Sequence, residues 1–67
     1  MEIKPGQIWK NKTNNDKLCV VEDNRNISCI NEYGKCVELS YYELIFNYRL
    51  YDEYRTAIEA YNNVKCN

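Results

Sequence analysis

Short runs rich in hydrophobic residues occupy the first forty positions of the chain, and polar clusters separate them. The runs fall at residues 7–12, 17–22, 27–32 and 35–39. The intervening segments are rich in asparagine, aspartate and glycine, which favour tight turns. Turn signals recurring roughly every ten residues are typical of antiparallel strands connected in sequence. The pattern therefore predicts a meander of four short strands.

A different pattern begins at Ser40. Ser40 and Glu43 have the spacing of a capping box, in which each side chain bonds the backbone of the other at a helix start. We predict a single helical turn at 40–43. Residues 44–51 are rich in β-branched and aromatic side chains and favour a fifth strand. The alternative is a continuous helix from residue 41 onward, because a short apolar run does not distinguish helix from strand.

The last segment, residues 52–65, predicts an amphipathic helix that begins at Asp52. Its apolar stripe has helical spacing and consists of Tyr54, Ala57, Ile58, Tyr61 and Val64. An isolated helix of this length is marginal in water, so we expect the stripe to pack on the sheet. Ile58→Asp should then unfold the monomer. If the stripe instead forms a face between molecules, the same substitution would leave a folded monomer.

Together these elements predict one domain over residues 1–67, mainly β with a C-terminal α-helix (α+β). Residues 1–51 would form the antiparallel sheet, closed as a small barrel or bent as an open meander. A chain of 67 residues lies near the lower size limit for a fold stabilised by its core alone. Free sheet edges also invite pairing. A monomer or a weak homodimer is expected.

Charge and hydropathy narrow the classes of partner. The net charge of −1 gives no overall field toward nucleic acid or an anionic membrane. No apolar run approaches the ~20 residues that span a bilayer, and the N-terminus lacks the apolar segment of a signal peptide. We expect a cytoplasmic protein without a membrane partner.

The oxidation state expected for the cysteines depends on that compartment. Cys19, Cys29 and Cys36 lie in apolar runs and Cys66 lies near the C-terminus. Cytosolic thiols stay reduced, so we expect free thiols, with Cys66 exposed; two disulfides are the alternative. The chain has no histidine and no C-x-x-C pair, which disfavours a zinc site. No cofactor is expected.

Catalytic patterns are missing from the sequence. Without histidine there is no imidazole base, and two glycines do not build a phosphate-binding loop. Glu22 and Asp23 fit the entry to a turn, and Asp52 and Glu53 fit the start of a helix. We therefore expect a protein that is not an enzyme.

The turn Pro5-Gly6 followed by "GQIW", the meander and the "SYYEL" turn before a last strand resemble a small SH3-like barrel over residues 3–51. This resemblance implies architecture more than function, because the superfold hosts many unrelated activities. The composition, rich in Asn, Ile, Lys and Tyr, is also similar to that of accessory proteins of phages and mobile elements. These resemblances imply a small protein that acts by binding, for example as an inhibitor of a host protein.

The aromatic residues supply the candidate sites. Seven tyrosines exceed what one small core absorbs, and tyrosine is enriched in protein interfaces. We predict a non-enzymatic protein-binding module that uses Tyr33, Tyr41, Tyr42 and Trp9. Trp9 itself has two interpretations, a core residue, which we favour, or an exposed ring between lysines.

The exposed placement of Trp9 leads to a second hypothesis, a nucleic-acid-binding domain of SH3-like or KOW-like type. An exposed tryptophan beside lysines can stack a base while the ammonium groups contact phosphates. The residues of this alternative are Trp9, Lys10, Lys12, Lys17 and Arg25. The acidic isoelectric point, about 5.3, disfavours it.

Overall fold

The computed structural model describes residues 2–65, which form a five-stranded antiparallel sheet with a helix on each face. The elements are β1 (Gln7–Asn11), β2 (Lys17–Asp23), β3 (Ile27–Asn31), β4 (Cys36–Leu39), α1 (Tyr41–Asn47), β5 (Tyr48–Glu53) and α2 (Ala57–Val64). The predicted α+β class and the meander of β1 to β4 are confirmed.

The sheet is open rather than closed into a barrel. Its spatial order is β4-β3-β2-β1-β5, so that β5 returns to lie beside β1 and the two ends of the sheet do not pair. Of the two predicted forms, the open sheet is the one adopted. Its edges are protected against pairing, because β4 has only four residues and the outer strand β5 carries Arg49, Asp52 and Glu53.

The capping box at the start of α1 is confirmed. The Ser40 hydroxyl accepts the Glu43 N–H at 3.2 Å, and the Glu43 carboxylate accepts the Ser40 N–H at 2.9 Å. The helix is longer than the predicted single turn, however, and the predicted strand 44–51 begins only at Tyr48. The reason is packing: Leu44 is fully buried in the core, and this gain overrides the strand propensity of its neighbours.

The predicted start of the C-terminal helix at Asp52 is wrong. Strand β5 continues to Glu53, which pairs with Gln7, and the Asp52 carboxylate accepts hydrogen bonds from the Glu53 N–H and the Tyr54 hydroxyl instead. Helix α2 is capped by Thr56, whose hydroxyl accepts the Glu59 N–H at 3.2 Å. Residues 56–59 read Thr-x-x-Glu, which is the signal that locates this start.

Helix α2 packs on its own sheet, as expected, but not through the whole predicted stripe. Ala60 and Val64 are buried against Ile8 and Cys19. Ile58 is 75% exposed and points away from the sheet, which corrects its assignment to the stripe. The inward face of the helix runs through Ala57, Ala60, Tyr61 and Val64, and Ile58 lies outside it. The substitution Ile58→Asp therefore does not test the packing of this helix.

The opposite face of the sheet carries the larger core. Its fully buried members share a cluster with α1 and are Trp9, Leu18, Val20, Cys29 and Leu44, together with Ile3 and Ile27. Since successive side chains of a strand point to opposite faces, Ile8 and Trp9 divide β1 between the two cores. Both faces of this small sheet are therefore used for packing.

Gly6 joins the N-terminal segment to strand β2 and to the residue that follows β5. Its N–H donates to the Val20 carbonyl at 3.0 Å, and its carbonyl accepts the Tyr54 N–H at 2.8 Å. Its φ of +98° lies in the left-handed region, and a Cβ at this position would overlap the Tyr54 carbonyl. Only glycine meets both conditions, which explains the Pro5-Gly6 turn before the first strand.

Gly6→Ala should therefore be strongly destabilising, by roughly 3 kcal/mol, because positive φ strain adds to a clash with backbone that does not move easily. Gly34→Ala is the matched control. Gly34 also has a positive φ, +83°, but the nearest atom to an added Cβ is the hydroxyl at the end of the Tyr61 side chain, at 3.1 Å. It should cost roughly 1 kcal/mol. Urea unfolding of both variants measures the difference, and equal losses would contradict the assigned role of Gly6.

The corrected packing of α2 gives a second pair of variants. Ala60 is fully buried, so Ala60→Asp places an unpaired charge in the core and should cost roughly 3 kcal/mol or more. Ile58→Asp changes an exposed position and should stay within about 0.5 kcal/mol of the unsubstituted protein. Thermal unfolding, monitored by circular dichroism, measures the change in stability of both variants. If Ile58→Asp unfolded the protein, Ile58 would have to face the sheet, which would contradict the observed orientation of α2.

Candidate functional site

Helix α1 presents aromatic side chains to solvent. Tyr42 is 74% exposed and Phe46 is 77% exposed, and their spacing of four residues places them on one side of the helix. The Tyr41 ring packs edge-on against Tyr42, with centroids 5.6 Å apart. We call these three residues the α1 aromatic face. Exposed apolar side chains that adjoin one another are typical of interaction sites, whereas single ones are common on any surface.

The α1 aromatic face is held on a fixed support. Leu44 is buried beneath the helix and the capping box fixes its first turn. At its other end the Lys12 N–H donates to the Asn47 carbonyl at 2.9 Å, and the Lys12 ammonium donates to the Ile45 carbonyl at 3.3 Å. A cation is favourable beside the free carbonyls of a helix C-terminus. The aromatic rings are thus displayed by an ordered element.

The predicted partner-binding residues are only partly brought together. Tyr41 and Tyr42 lie in the α1 aromatic face. Tyr33 is 76% exposed but lies in the turn before β4, at the opposite end of that strand from α1. The sequence analysis did not predict Phe46 as a site residue. Phe46 shares a helix face with Tyr42 because four residues separate them, but this spacing is meaningful only if the helix continues to residue 47.

Trp9 is not a contact residue, which corrects its inclusion in both predicted sites. It is 2% exposed, and its indole N–H donates to the Gln7 side-chain oxygen at 3.1 Å. Its ring is buried in the core, and its indole N–H has a hydrogen-bond acceptor within the molecule. The interpretation of Trp9 as a core residue is therefore the correct one, and its intrinsic fluorescence would report on the core.

A second candidate surface lies on the opposite face of the sheet. Lys10 is the register partner of Lys17 on β2 and of Arg49 on β5. Directly opposite residues of antiparallel strands share one face, with Cβ atoms about 5 Å apart. Lys17, Lys10 and Arg49 thus form a line of cations across three strands, which we call the basic row. Its face is that of Ile8 and α2, because Lys10 alternates with the buried Trp9.

The basic row includes two of the predicted nucleic-acid contacts and excludes the rest. Lys12 is engaged at the end of α1. Arg25 follows the far end of β2, roughly 20 Å from Lys17 along the strand. Trp9 faces the other side of the sheet. Of the five residues in the predicted set, the structure therefore places only Lys10 and Lys17 side by side, and Arg49 lies next to them.

Tyr51 supplies the aromatic ring beside the basic row. The pairing of β1 with β5 runs from Trp9–Leu50 to Ile8–Asp52, so Tyr51 is the extra residue of a β-bulge. Bulges redirect side chains. Its ring is 53% exposed and lies 4.9 Å from the Lys10 ammonium and 5.1 Å from that of Lys17. Neither the bulge nor the register is readable from the sequence, which is why Arg49 and Tyr51 were missed.

The cysteines differ sharply in access. Cys19, Cys29 and Cys36 are free thiols, and Cys66 lies outside the described residues. Cys19 and Cys29 belong to the cores on opposite faces of the sheet, so the two thiols do not meet. Burial raises the pKa of Cys19; burial, with a smaller contribution from Cys19, raises the pKa of Cys29 to about 12. Cys36 is exposed on the edge strand β4.

A surface depression of about 380 Å³ lies between the N-terminal segment and α2. It is lined by Lys4, Glu53, Tyr54, Arg55 and Glu59. Desolvation, together with a hydrogen bond to Asp52, raises the pKa of Tyr54, so its phenol is a neutral donor at neutral pH. Two cations and two carboxylates balance one another. This depression therefore has no preference for a charged ligand.

Comparison with models of known protein families, with curated proteins and with solved structures found no match. The SH3-like resemblance stays a prediction. Within residues 2–65, neither helix has the length and apolar character needed to cross a bilayer.

Thiol reactivity tests the placement of the cysteines. In a Cys66→Ser variant, a disulfide reagent at about pH 8 should label one thiol rapidly, that of Cys36, because buried cysteines with raised pKa values hold little thiolate. The other two should react only after denaturant is added. A Cys36→Ser/Cys66→Ser control should show no rapid phase. Rapid labelling of two thiols in the native Cys66→Ser variant would contradict the burial of Cys19 or Cys29.

Proposed function

We propose that this protein is a non-enzymatic protein-binding module whose principal contact is the α1 aromatic face. The observation that supports the proposal is the pair Tyr42 and Phe46, each about three-quarters exposed, one helical turn apart on a capped and anchored helix. Tyrosine, with tryptophan and arginine, is enriched among the residues that dominate binding energy in protein interfaces. Because the helix that carries these side chains is ordered before binding, less conformational entropy is lost on association.

The chemistry of this face defines the kind of partner. Phe46 offers only apolar surface, and Tyr41 and Tyr42 add hydroxyl groups at the margin of that surface. The neighbouring charges are already satisfied, since Glu43 bonds the helix start and Lys12 bonds the helix end. A complementary partner surface is therefore an apolar pocket with hydrogen-bonding groups at its rim. Such binding should be nearly insensitive to salt, because it involves no unpaired charge.

The double substitution Tyr42→Ala/Phe46→Ala tests this surface. It should leave the free energy of unfolding within roughly 0.5 kcal/mol, because both side chains are exposed. It should weaken partner binding by about 30-fold or more, the effect expected when interface residues worth about 2 kcal/mol are removed. Capture of partners from a lysate of the cells that make the protein, compared by quantitative mass spectrometry, measures the change.

The matched control is Tyr33→Ala/Ile58→Ala. These two side chains are 76% and 75% exposed, so the control removes the same kind of surface from two separated places. Proteins captured by the unsubstituted chain and by the control, but lost with Tyr42→Ala/Phe46→Ala, support the proposal. Equal capture by all three contradicts it. Sedimentation of the purified chain shows whether the partner is a second copy, which the double substitution would then convert to a monomer.

A further inference from the structure

We infer that the basic row and Tyr51 form a binding site for single-stranded nucleic acid. This inference is independent of the proposed function, because it concerns different residues on the opposite face of the sheet. It starts from the register of the strands. Lys17, Lys10 and Arg49 occupy adjacent positions on β2, β1 and β5.

The arrangement is unfavourable for the free protein. Like charges at directly opposite positions of a sheet repel one another and lower stability. A polyanion relieves this repulsion, since each phosphate contacts a cation and releases counterions from the strand. The row crosses three strands spaced about 4.8 Å apart and therefore extends over about 10 Å. This length fits a short stretch of a few nucleotides, at the low end of known site sizes.

Tyr51 distinguishes a single strand from a duplex. Its half-exposed ring lies beneath the ammonium groups of Lys10 and Lys17, at 4.9 and 5.1 Å from the ring centroid. A base can stack on such a ring only when it is not stacked within a helix. The contacts of the two lysines with the ring are weak, because the site is exposed to solvent. When a base stacks on the ring, the flexible lysine side chains can therefore move to contact phosphates.

An acidic residue shares this face of the sheet, because Asp52 is the register partner of Ile8. The carboxylate nearest to Tyr51 in the chain, that of Asp52, accepts hydrogen bonds from the Glu53 N–H at 2.8 Å and the Tyr54 hydroxyl at 3.1 Å. Helix α2 covers the neighbouring Ile8 and Cys19, while Arg49 and Tyr51 remain exposed and Lys10 and Lys17 are half-buried. The site is thus a cationic strip on the open part of a sheet, with one aromatic ring.

The experiment uses the full chain and a fluorescein-labelled oligothymidylate of roughly 12 nucleotides, with binding measured by anisotropy at low salt. We expect a dissociation constant on the order of 10⁻⁵ M that rises with salt, with a logarithmic slope of about −2 for three neutralised phosphates on a single strand. Lys10→Gln/Lys17→Gln/Arg49→Gln should weaken binding at least tenfold. The same triple should unfold at about the same urea concentration as the unsubstituted protein, because the relief of like-charge repulsion offsets the loss of two weak lysine–ring contacts.

The charge-matched control is Lys4→Gln/Arg25→Gln/Arg55→Gln, which removes three exposed cations outside the basic row. It should bind the oligonucleotide within about twofold of the unsubstituted chain. Equal weakening by both triples would show that only net charge matters and would overturn the proposal. Absence of salt-sensitive binding by the unsubstituted chain would overturn it as well.

Tyr51 is tested separately. Tyr51→Ala should weaken oligothymidylate binding about tenfold, whereas Tyr51→Phe, which keeps the ring, should not. Inorganic polyphosphate should bind both variants equally, since it offers no base. A loss of polyphosphate binding that equals the loss of oligothymidylate binding, or tighter binding to a duplex of the same length, would contradict a single-strand site. Tyr42→Ala/Phe46→Ala should change none of these values, which separates this test from that of the proposed function.

Discussion

The side-chain amide of Gln7 joins the N-terminal segment and the core tryptophan to the end of β5. It is 2% exposed and uses its full hydrogen-bonding capacity. Its nitrogen donates to the Glu2 carbonyl at 3.0 Å and to the Glu53 carboxylate at 3.1 Å, while its oxygen accepts the Lys4 N–H at 3.2 Å and the Trp9 indole N–H at 3.1 Å. The N-terminal segment, the core and the end of β5 are therefore held by one group. Loss of this amide would leave buried donors unpaired, which costs more than the bonds themselves contribute.

This amide also determines which side chains are left for function. A buried indole needs an acceptor, and Gln7, two residues earlier on the same face of β1, provides it for Trp9. With Trp9 fixed in the core, strand alternation places Lys10 on the other face, beside its register partners Lys17 and Arg49. The basic row is thus a geometric consequence of how the tryptophan is buried.

The features predictable from the sequence are those with local causes. The strands of the meander follow from short hydrophobic runs and turn residues, and the start of α1 follows from the Ser40 capping box. The end of α1 was not predictable, because burial of Leu44 decides it. The helix placed at Asp52 was wrong for a similar reason: pairing with β1 keeps that residue in β5, and the local signal at Thr56 marks the true start. Tyr41 and Tyr42 were identifiable from aromatic content alone, whereas the exposure of Phe46 depended on the helix length.

Net charge is a sum over the whole sequence and does not show how the sheet distributes charges of opposite sign. Glu22 and Glu38 both pair with Ser28 and form an acidic line across the sheet at the far end of β2 from Lys17. Five residues separate Lys17 from Glu22, about 17 Å along a strand. Charges further apart than the Debye length of about 8 Å at physiological salt hardly influence each other in solvent. The two lines nearly cancel in the total charge but not locally, so a ligand at the basic row experiences a field that the isoelectric point does not reveal.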